Sequence, residues 1–300
     1  MAMRIGSLDR ESGSLLAFGF ALFVLIAAGV PLGGDLASSL MCLMLLLVGL
    51  PHGALDIERL KLAWGTGSQQ VTLLFGLYLG LAAMTFAFWQ WSPVVAMALF
   101  LATAAVHFAE DFEDMPDPLL GLGTACALLC APALFHKAEL RDIFAVVAGA
   151  RDAALLAEAM QAIAPVALAL AAVGIVALIG KGLRNQALSC SILLAAMLLA
   201  PPIAGFLLFF CVFHSPRHLR EVWGALASNR VRLLSISLAL TAGAIGLTVV
   251  LIGWEARGGL PQSLVAATFM TFSILTVPHM LAPLLVDRIG RARMQAAPTK

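Results

Sequence analysis

Charged residues are scarce in this sequence and make up only 12% of its 300 positions, whereas they make up about a quarter of ordinary soluble domains. Hydrophobic residues account for 61%. This composition excludes a soluble globular domain and predicts an all-α, polytopic integral membrane protein. Positive charge is not in excess, because 18 lysines and arginines stand against 17 aspartates and glutamates, so we expect no nucleic-acid partner.

Two signatures of zinc proteins are absent from the sequence. The cysteines lie in apolar stretches without a C-x-x-C pair, which argues against a zinc ribbon or a disulfide framework and predicts buried, inert thiols. No H-E-x-x-H segment occurs, which excludes a hydrolytic zinc site of that type. The five cysteines are Cys42, Cys126, Cys130, Cys190 and Cys211.

The sequence instead contains long stretches free of charge, and a membrane-spanning helix needs about 20 apolar residues. Stretch 62–109 is too long for one helix and contains a polar, proline-bearing turn at 90–93, which predicts two crossings. Stretch 185–216 contains Pro201 and Pro202, and its length fits one kinked crossing or a hairpin of two. The charge-free stretches are 12–34, 36–55, 62–109, 118–136, 159–180, 185–216, 233–254 and 258–286.

The distribution of positive charge favours two crossings in stretch 185–216, because lysine and arginine collect on the cytoplasmic side of a membrane. Two crossings place 14 of these residues inside and 4 outside, whereas one crossing places 7 inside and 11 outside. We therefore predict about ten transmembrane helices in a single transmembrane domain, 1–300, in the cell (inner) membrane with both termini cytoplasmic. The first helix is predicted to be uncleaved, and residues 137–158 are predicted to form an outer loop with an interfacial helix.

Histidines fall at similar positions in several predicted spans. His52, His107 and His214 lie within three residues of the ends of spans 2, 4 and 8, which all run outside to inside, so their depths agree within about 5 Å. His279 lies in the last third of span 10, about 10 Å deeper if its helix is untilted. His218 follows His214 by four residues and shares its helical face. Neutral imidazole is the commonest metal ligand, so the set predicts one shared metal ion.

Acidic residues accompany these histidines. Asp56 follows His52 by four positions, and Glu110 and Asp111 follow His107 by three and four, positions suited to accept the second ring N–H of a ligating histidine. His136 lies at the outer end of its stretch and is interpreted as structural. All-imidazole ligation suits iron, copper or zinc, and the residues alone leave that choice open.

Four segments carry a resemblance to a known family. They are residues 50–56 (LPHGALD), 107–108 (HF), 213–218 (FHSPRH) and 277–280 (VPHM). In order and spacing, over nearly the whole chain, they resemble the signatures of the Brp/Blh family of membrane beta-carotene dioxygenases from bacteria and archaea. The resemblance implies an oxidoreductase that cleaves the central 15,15' double bond of beta-carotene with O2 at a non-haem Fe(2+), giving two all-trans-retinal molecules, often for a rhodopsin.

The resemblance also implies site residues. His279 matches a further family histidine, with a role as iron ligand, neighbour of a ligand or substrate wall. Asp56 matches the acidic residue of the first segment. It is expected to contribute to cofactor binding by orienting the ring of His52. Because the iron is expected in the inner leaflet, a carotenoid in the bilayer must lie tilted or arrive sideways between helices. The implied catalytic iron ligands are His52, His107, His214 and His218.

Two other functions are compatible with histidines in membrane spans. A transporter or channel for metal ions or protons uses such residues as a relay. A haem carrier clamps its porphyrin between two imidazoles. Within the dioxygenase interpretation, the sequence has one tyrosine, Tyr78, so the rings that position a polyene are expected to be Phe108, Phe213 and Phe272.

Overall fold

The computed structural model of the chain describes residues 2–64, 67–226, 230–254 and 259–296, and most of these residues are helical, with no strand among them. Helices satisfy all their backbone hydrogen bonds within one segment, which is what long apolar stretches require in lipid. The all-α prediction is therefore confirmed. The helices of the first half are α1 (Ala2–Ala27), α2 (Asp35–Met44), α3 (Asp56–Trp64), α4 (Ser68–Trp91), α5 (Pro93–Ala109), α6 (Pro118–Cys130) and α7 (Pro132–Phe135). Those of the second half are α8 (Lys137–Ala148), α9 (Ala150–Gly180), α10 (Arg184–Leu199), α11 (Pro202–Leu207), α12 (Ser215–Ala225), α13 (Arg230–Trp254) and α14 (Leu260–Ala296).

Within the described ranges, 7 helical segments are long and apolar enough to cross a membrane. Two further predicted spans correspond to the shorter apolar helices Gly13–Ala27 and Arg184–Leu199, and a third to the helix that starts at Pro202. The count of ten therefore stays a prediction. The seven long segments are Asp35–Glu58, Ser68–Trp91, Pro93–Phe112, Pro118–Phe135, Ala150–Gly180, Arg230–Trp254 and Leu260–Leu281.

Stretch 185–216 forms a hairpin rather than one kinked helix. Helix α10 ends at Leu199, and α11 begins with Pro202, whose fixed φ suits the first turn of a helix. Gly205 packs against Met197 across the turn. At the other end Gln186, near the start of α10, lines the same small cavity as Arg217 of α12. The two arms are therefore antiparallel, as the charge distribution predicts.

The segment predicted as an outer loop at 137–158 is largely helical. Helix α8 fills its first part, and α9 begins at Ala150, nine residues before the charge-free stretch starts. Charged side chains in the first turns of α9 explain the difference, because a helix can continue beyond the hydrocarbon region into the polar interface. Leu140 and Phe144 of α8 are buried, so this helix contributes to the core as well as to a surface.

Two π-turns interrupt regular helices at two of the histidine segments, the first directly before residues 50–56 and the second running into residues 213–218. They span Leu45–Gly49 and Leu208–His214, and the first is followed by a 3₁₀ turn, Leu50–Leu55. The hydroxyl of Ser215 donates a hydrogen bond to the carbonyl oxygen of Val48 at 3.1 Å, with that of Gly49 at 3.3 Å. This side chain satisfies carbonyl groups that the irregular turn leaves without a regular helical partner. It thereby fixes the first histidine segment against the third.

Candidate metal centre

Four imidazole rings from three distant parts of the chain meet in one cluster. The ring centre of His107, on α5, lies 4.9 Å from that of His214 and 4.8 Å from that of His279. The ring of His218 lies 5.2 Å from His279, 6.0 Å from His107 and 6.2 Å from His214. His107, His214 and His279 are buried. We call these four residues the imidazole cluster.

The ring of His279 lies in the cluster rather than 10 Å deeper than the others. The depth prediction for His279 was wrong because it measured depth from the last charge-free residue of the stretch. Helix α14 continues ten residues past that position, to Ala296, so the end of the stretch does not mark the level of the histidine. This contact makes His279 a member of the site on equal terms with His107 and His214.

Carboxylates face one nitrogen of three cluster rings. Nδ1 of His214 lies 2.6 Å from Oδ2 of Asp111, and Nδ1 of His107 lies 3.5 Å from Oε2 of Glu110. Asp111 therefore serves His214 of another helix, and not the neighbouring His107 as its spacing suggests. A carboxylate on Nδ1 fixes the ring and its tautomer and leaves Nε2 to bind a metal.

The third carboxylate is Asp56, the first residue of α3. Its Oδ2 atom lies 2.5 Å from Nδ1 of His279 and accepts a hydrogen bond from the Tyr78 hydroxyl at 3.0 Å. Both Asp56 and His279 are buried. No motif predicts the Tyr78 contact; the one hint is that a tyrosine in an apolar helix needs a polar partner for its hydroxyl.

The prediction for His52 lies outside the described side chains, because only its backbone, within the 3₁₀ turn, is described. Its role as a ligand and its orientation by Asp56 therefore remain predictions. His218 lies on α12, one turn after His214. Burial, and then the nearby His279, lower the pKa of His218 from 6.5 to about 3, so its ring is neutral, as a metal ligand must be.

The imidazole cluster fits a metal ion. The Nε2 atoms of His107, His214 and His218 are buried, and that of His107 has no hydrogen-bond partner among the described residues. Donor atoms of His218, His279 and Asp56 lie within 4.8 Å of one another, a group that includes neither His107 nor His214 and in which Asp56 also contacts Nδ1 of His279; ligands that bind one ion at about 2 Å lie up to about 4 Å apart. A polar cavity of about 30 Å³ borders His107, His214 and His218, which is room for an ion or a water-sized ligand.

Residues beside the cluster tie its helices together. Arg217 donates a hydrogen bond to the carbonyl oxygen of Asp111 at 2.8 Å, and its guanidinium lies 3.9 Å from a carboxylate oxygen of Glu113. It therefore faces the acidic segment after α5. His136, which is interpreted from the sequence as structural, follows the last residue of α7 and is not part of the imidazole cluster. Its Nδ1 atom lies 3.3 Å from a carboxylate oxygen of Glu139.

Two apolar cavities flank Phe272 of α14. One, of about 80 Å³, is lined by Phe108 and Phe272 and extends towards α8. The other, of about 270 Å³, is lined by Phe272, Tyr78 and His279. Of the phenylalanines expected to position a polyene, Phe108 and Phe272 thus line these two cavities. Phe213 lines a separate cavity of about 30 Å³ beside Arg217 and stacks on Phe112, with ring centres 6.2 Å apart. Apolar space therefore reaches the cluster at His279, and the smaller cavity adjoins Phe272 without bordering a ring of the cluster.

We predict that Gly49→Ala destabilises the protein by about 1–3 kcal/mol, the usual cost of overpacking, and reduces its metal content. A Cβ at Gly49 would lie 2.7 Å from Cδ1 of Phe210 and closer still to its Cε1. Phe210 cannot easily yield, because its ring stacks on His214 at 5.2 Å and contacts Phe272 at 5.1 Å. Thermal unfolding in detergent and metal analysis measure both effects.

The matched control is Gly76→Ala on α4, where an added Cβ meets no heavy atom within 4 Å. The same methyl group in open space should leave stability and metal content near those of the original protein. Equal stability of the two variants would contradict the packing argument.

Comparisons with known proteins agree with the geometry. The family model described as "Beta-carotene 15,15'-dioxygenase" matches residues 43–286. A relative named "Beta-carotene 15,15'-dioxygenase", from Uncultured marine bacterium 66A03, is 26% identical over 266 residues, which cover 83% of this chain and 92% of the relative. No solved structure matches the chain significantly. The matched range contains every residue of the imidazole cluster.

Proposed function

The chain belongs to the beta-carotene 15,15'-dioxygenase family, and on that premise we propose that it cleaves the central double bond of beta-carotene with O2, using Fe(2+) held by histidines. The relative's name supports the substrate and the type of reaction. The observation that carries the proposal for the site is the cluster of four imidazoles, of which three are backed by carboxylates.

Iron would be held by His107, His214 and His218, by His52 as predicted from its segment, and by His279 as a further ligand or direct neighbour. When bound, ferrous iron supplies the activation of O2 for attack on an alkene. The protein's own groups fix the rings, since Asp111 and Asp56 hold Nδ1 of His214 and His279. The surrounding apolar helices exclude water from the reacting carbons.

Central cleavage requires the site to hold the middle double bond of the substrate at the metal, with half of the molecule on each side of it. In the overall reaction one carbon–carbon double bond breaks, and each carbon receives one oxygen atom of O2, giving two retinal molecules. The larger cavity borders both Phe272 and His279, and the smaller one also borders Phe272, which supports a long apolar molecule lying beside the imidazole cluster.

The seven long apolar helices are consistent with a membrane protein, and we propose that the domain lies in the cell membrane with both termini in the cytoplasm. A lipid bilayer is then the natural source of a hydrocarbon substrate, and O2 also partitions into it. Retinal as product is the chromophore that a rhodopsin would take up, which is the proposed functional partner.

The alternative functions make different predictions. The comparisons do not favour a transporter or channel for metal ions or protons. Such a protein would show flux in proteoliposomes without retinal formation. A haem carrier would show a Soret band in its visible spectrum, whereas a non-haem iron centre would not.

The decisive experiment is expression in a carotene-producing cell, followed by chromatography of the products and metal analysis of the purified protein. We expect all-trans-retinal as the product and about one iron per chain, as for a single mononuclear site. Longer and shorter aldehydes in equal amounts would refute central cleavage. Retention of zinc or copper by a protein that cleaves carotene without iron would refute the assignment of the metal.

A further inference from the structure

The larger apolar cavity lies between two membrane helices. It is lined by residues of α4, α13, α14 and the 3₁₀ turn before α3, and it reaches the imidazole cluster at His279. Along α14 it extends from His279 to Phe272, a rise of about 10 Å. We call it the α4/α13 cavity. On α4 and α13 its walls include Phe75, Tyr78, Leu79, Leu240 and Gly243.

Helices α4 and α13 both pack along α14, and they contact each other near their predicted outer ends. There the ring of Phe86 meets that of Trp254 edge to face, with ring centres 6.2 Å apart. The cavity lies about two to four turns further towards the predicted inner side. The two helices therefore contact each other at their predicted outer ends, and a gap separates them beside the cavity.

The rim of this gap is apolar and accessible from outside the helix bundle. Leu79 is 66% exposed, and Phe75 and Leu240 are 39% and 38% exposed. Gly243 is exposed, and a Cβ built there would meet no heavy atom within 4 Å. In a membrane-embedded helix bundle such a surface faces lipid tails, so the gap opens towards the hydrocarbon of the bilayer.

We propose that the gap between α4 and α13 is the lipid-side entrance to the metal centre and that the α4/α13 cavity holds one half of a long polyene hydrocarbon. This proposal rests on the proposed function. The polyene passes from the bilayer between Leu79 and Gly243, reaches the cluster at His279, and places its other half beyond Phe272. The second cavity is much smaller, about 80 Å³ against 270 Å³, so we assign the entrance to the larger one.

Blocking the gap with one large side chain tests the entrance. Gly243→Trp fills the rim, and Gly246→Trp places the same side chain one turn later on α13, at a glycine that is also exposed, has no heavy atom within 4 Å of a Cβ, and does not line the cavity. In liposomes loaded with beta-carotene, we expect Gly243→Trp to lower the rate of cleavage by at least about tenfold. Gly246→Trp should remain within about twofold of the original protein.

A second measurement records binding directly. Purified protein is incubated with beta-carotene under anaerobic conditions, and the carotene retained through gel filtration is quantified by absorbance together with the bound iron. We expect Gly243→Trp to retain much less carotene at an unchanged iron content. If iron is also lost, Leu79→Trp narrows the same gap from α4 and replaces it in the comparison.

Three results would overturn the proposal. The first is full cleavage and binding of carotene by both Gly243→Trp and Leu79→Trp, and the second is a loss in Gly246→Trp as large as that in Gly243→Trp. The third is that Gly243→Trp loses bound phospholipid while it retains as much carotene as the original protein. The last result would make the cavity a site for lipid tails. If the original protein forms no retinal but binds carotene in a manner that depends on Gly243, the proposed cleavage fails while the entrance stands.

Discussion

Replacing His107, His214 or His218 by alanine is expected to reduce carotene cleavage to background and to strip the protein of iron. Each ring belongs to the imidazole cluster, with ring centres 4.9–6.2 Å apart, so the loss of one removes a ligand and leaves a gap in the cluster. Loss of a group outside the ligand shell typically costs about 10–100-fold. Loss of a ligand should exceed that range, measured as retinal formed per chain and iron bound per chain.

His136→Ala is the matched control, because it removes an imidazole that is half-exposed and pairs only with Glu139 among the contacts found for it. This variant should keep its iron and its activity. His52→Ala extends the series to the ligand predicted from its segment, and His279→Ala to the ring whose role the resemblance leaves open. Full activity in any two of the His52, His107, His214 and His218 variants would refute the ligand assignment.

Helical structure could be predicted from the sequence because it follows from composition. Backbone N–H and C=O groups cannot stay without hydrogen bonds in lipid, so long apolar stretches must be helices. The prolines at 201–202, together with the distribution of positive charge, indicate a hairpin. Helix ends were harder to predict. The charge-free stretch before Lys181 begins at residue 159, yet α9 begins at Ala150, because charged side chains are compatible with helix wherever they reach the polar interface.

The meeting of His107 and His214 could be predicted because both lie at the ends of spans that run in one direction. Glu110, three residues after His107, is the partner that its spacing predicts, whereas the partners of His214 and His279 could not be predicted in this way. Asp111 and His214 are 103 positions apart, and Asp56 and His279 are 223 apart. Which acid faces which imidazole depends on the rotation of each helix about its axis. That rotation is set by packing and by the π-turns at the histidine segments, and hydrophobic periodicity does not report it.

Asp56→Asn is expected to weaken iron binding by about 10–100-fold, the usual effect of losing the partner that orients a ligating histidine. The carboxylate of Asp56 is buried and lies 2.5 Å from Nδ1 of His279, and a neutral amide cannot replace the charge in that hydrogen bond. Because the substitution nearly conserves shape, the effect should appear in iron affinity more than in thermal stability. Titration of the metal-free protein with ferrous iron measures it.

A graded series separates this role from a general loss of charge. Tyr78→Phe removes only the hydroxyl that donates to Asp56 at 3.0 Å, so the carboxylate stays and the loss of affinity should be smaller than for Asp56→Asn. Glu58→Gln, on the same helix, removes a carboxylate that pairs with Lys61 and Arg232 and should leave iron affinity unchanged. If Glu58→Gln weakens iron binding as much as Asp56→Asn does, the effect comes from net charge, and Asp56 does not act through His279.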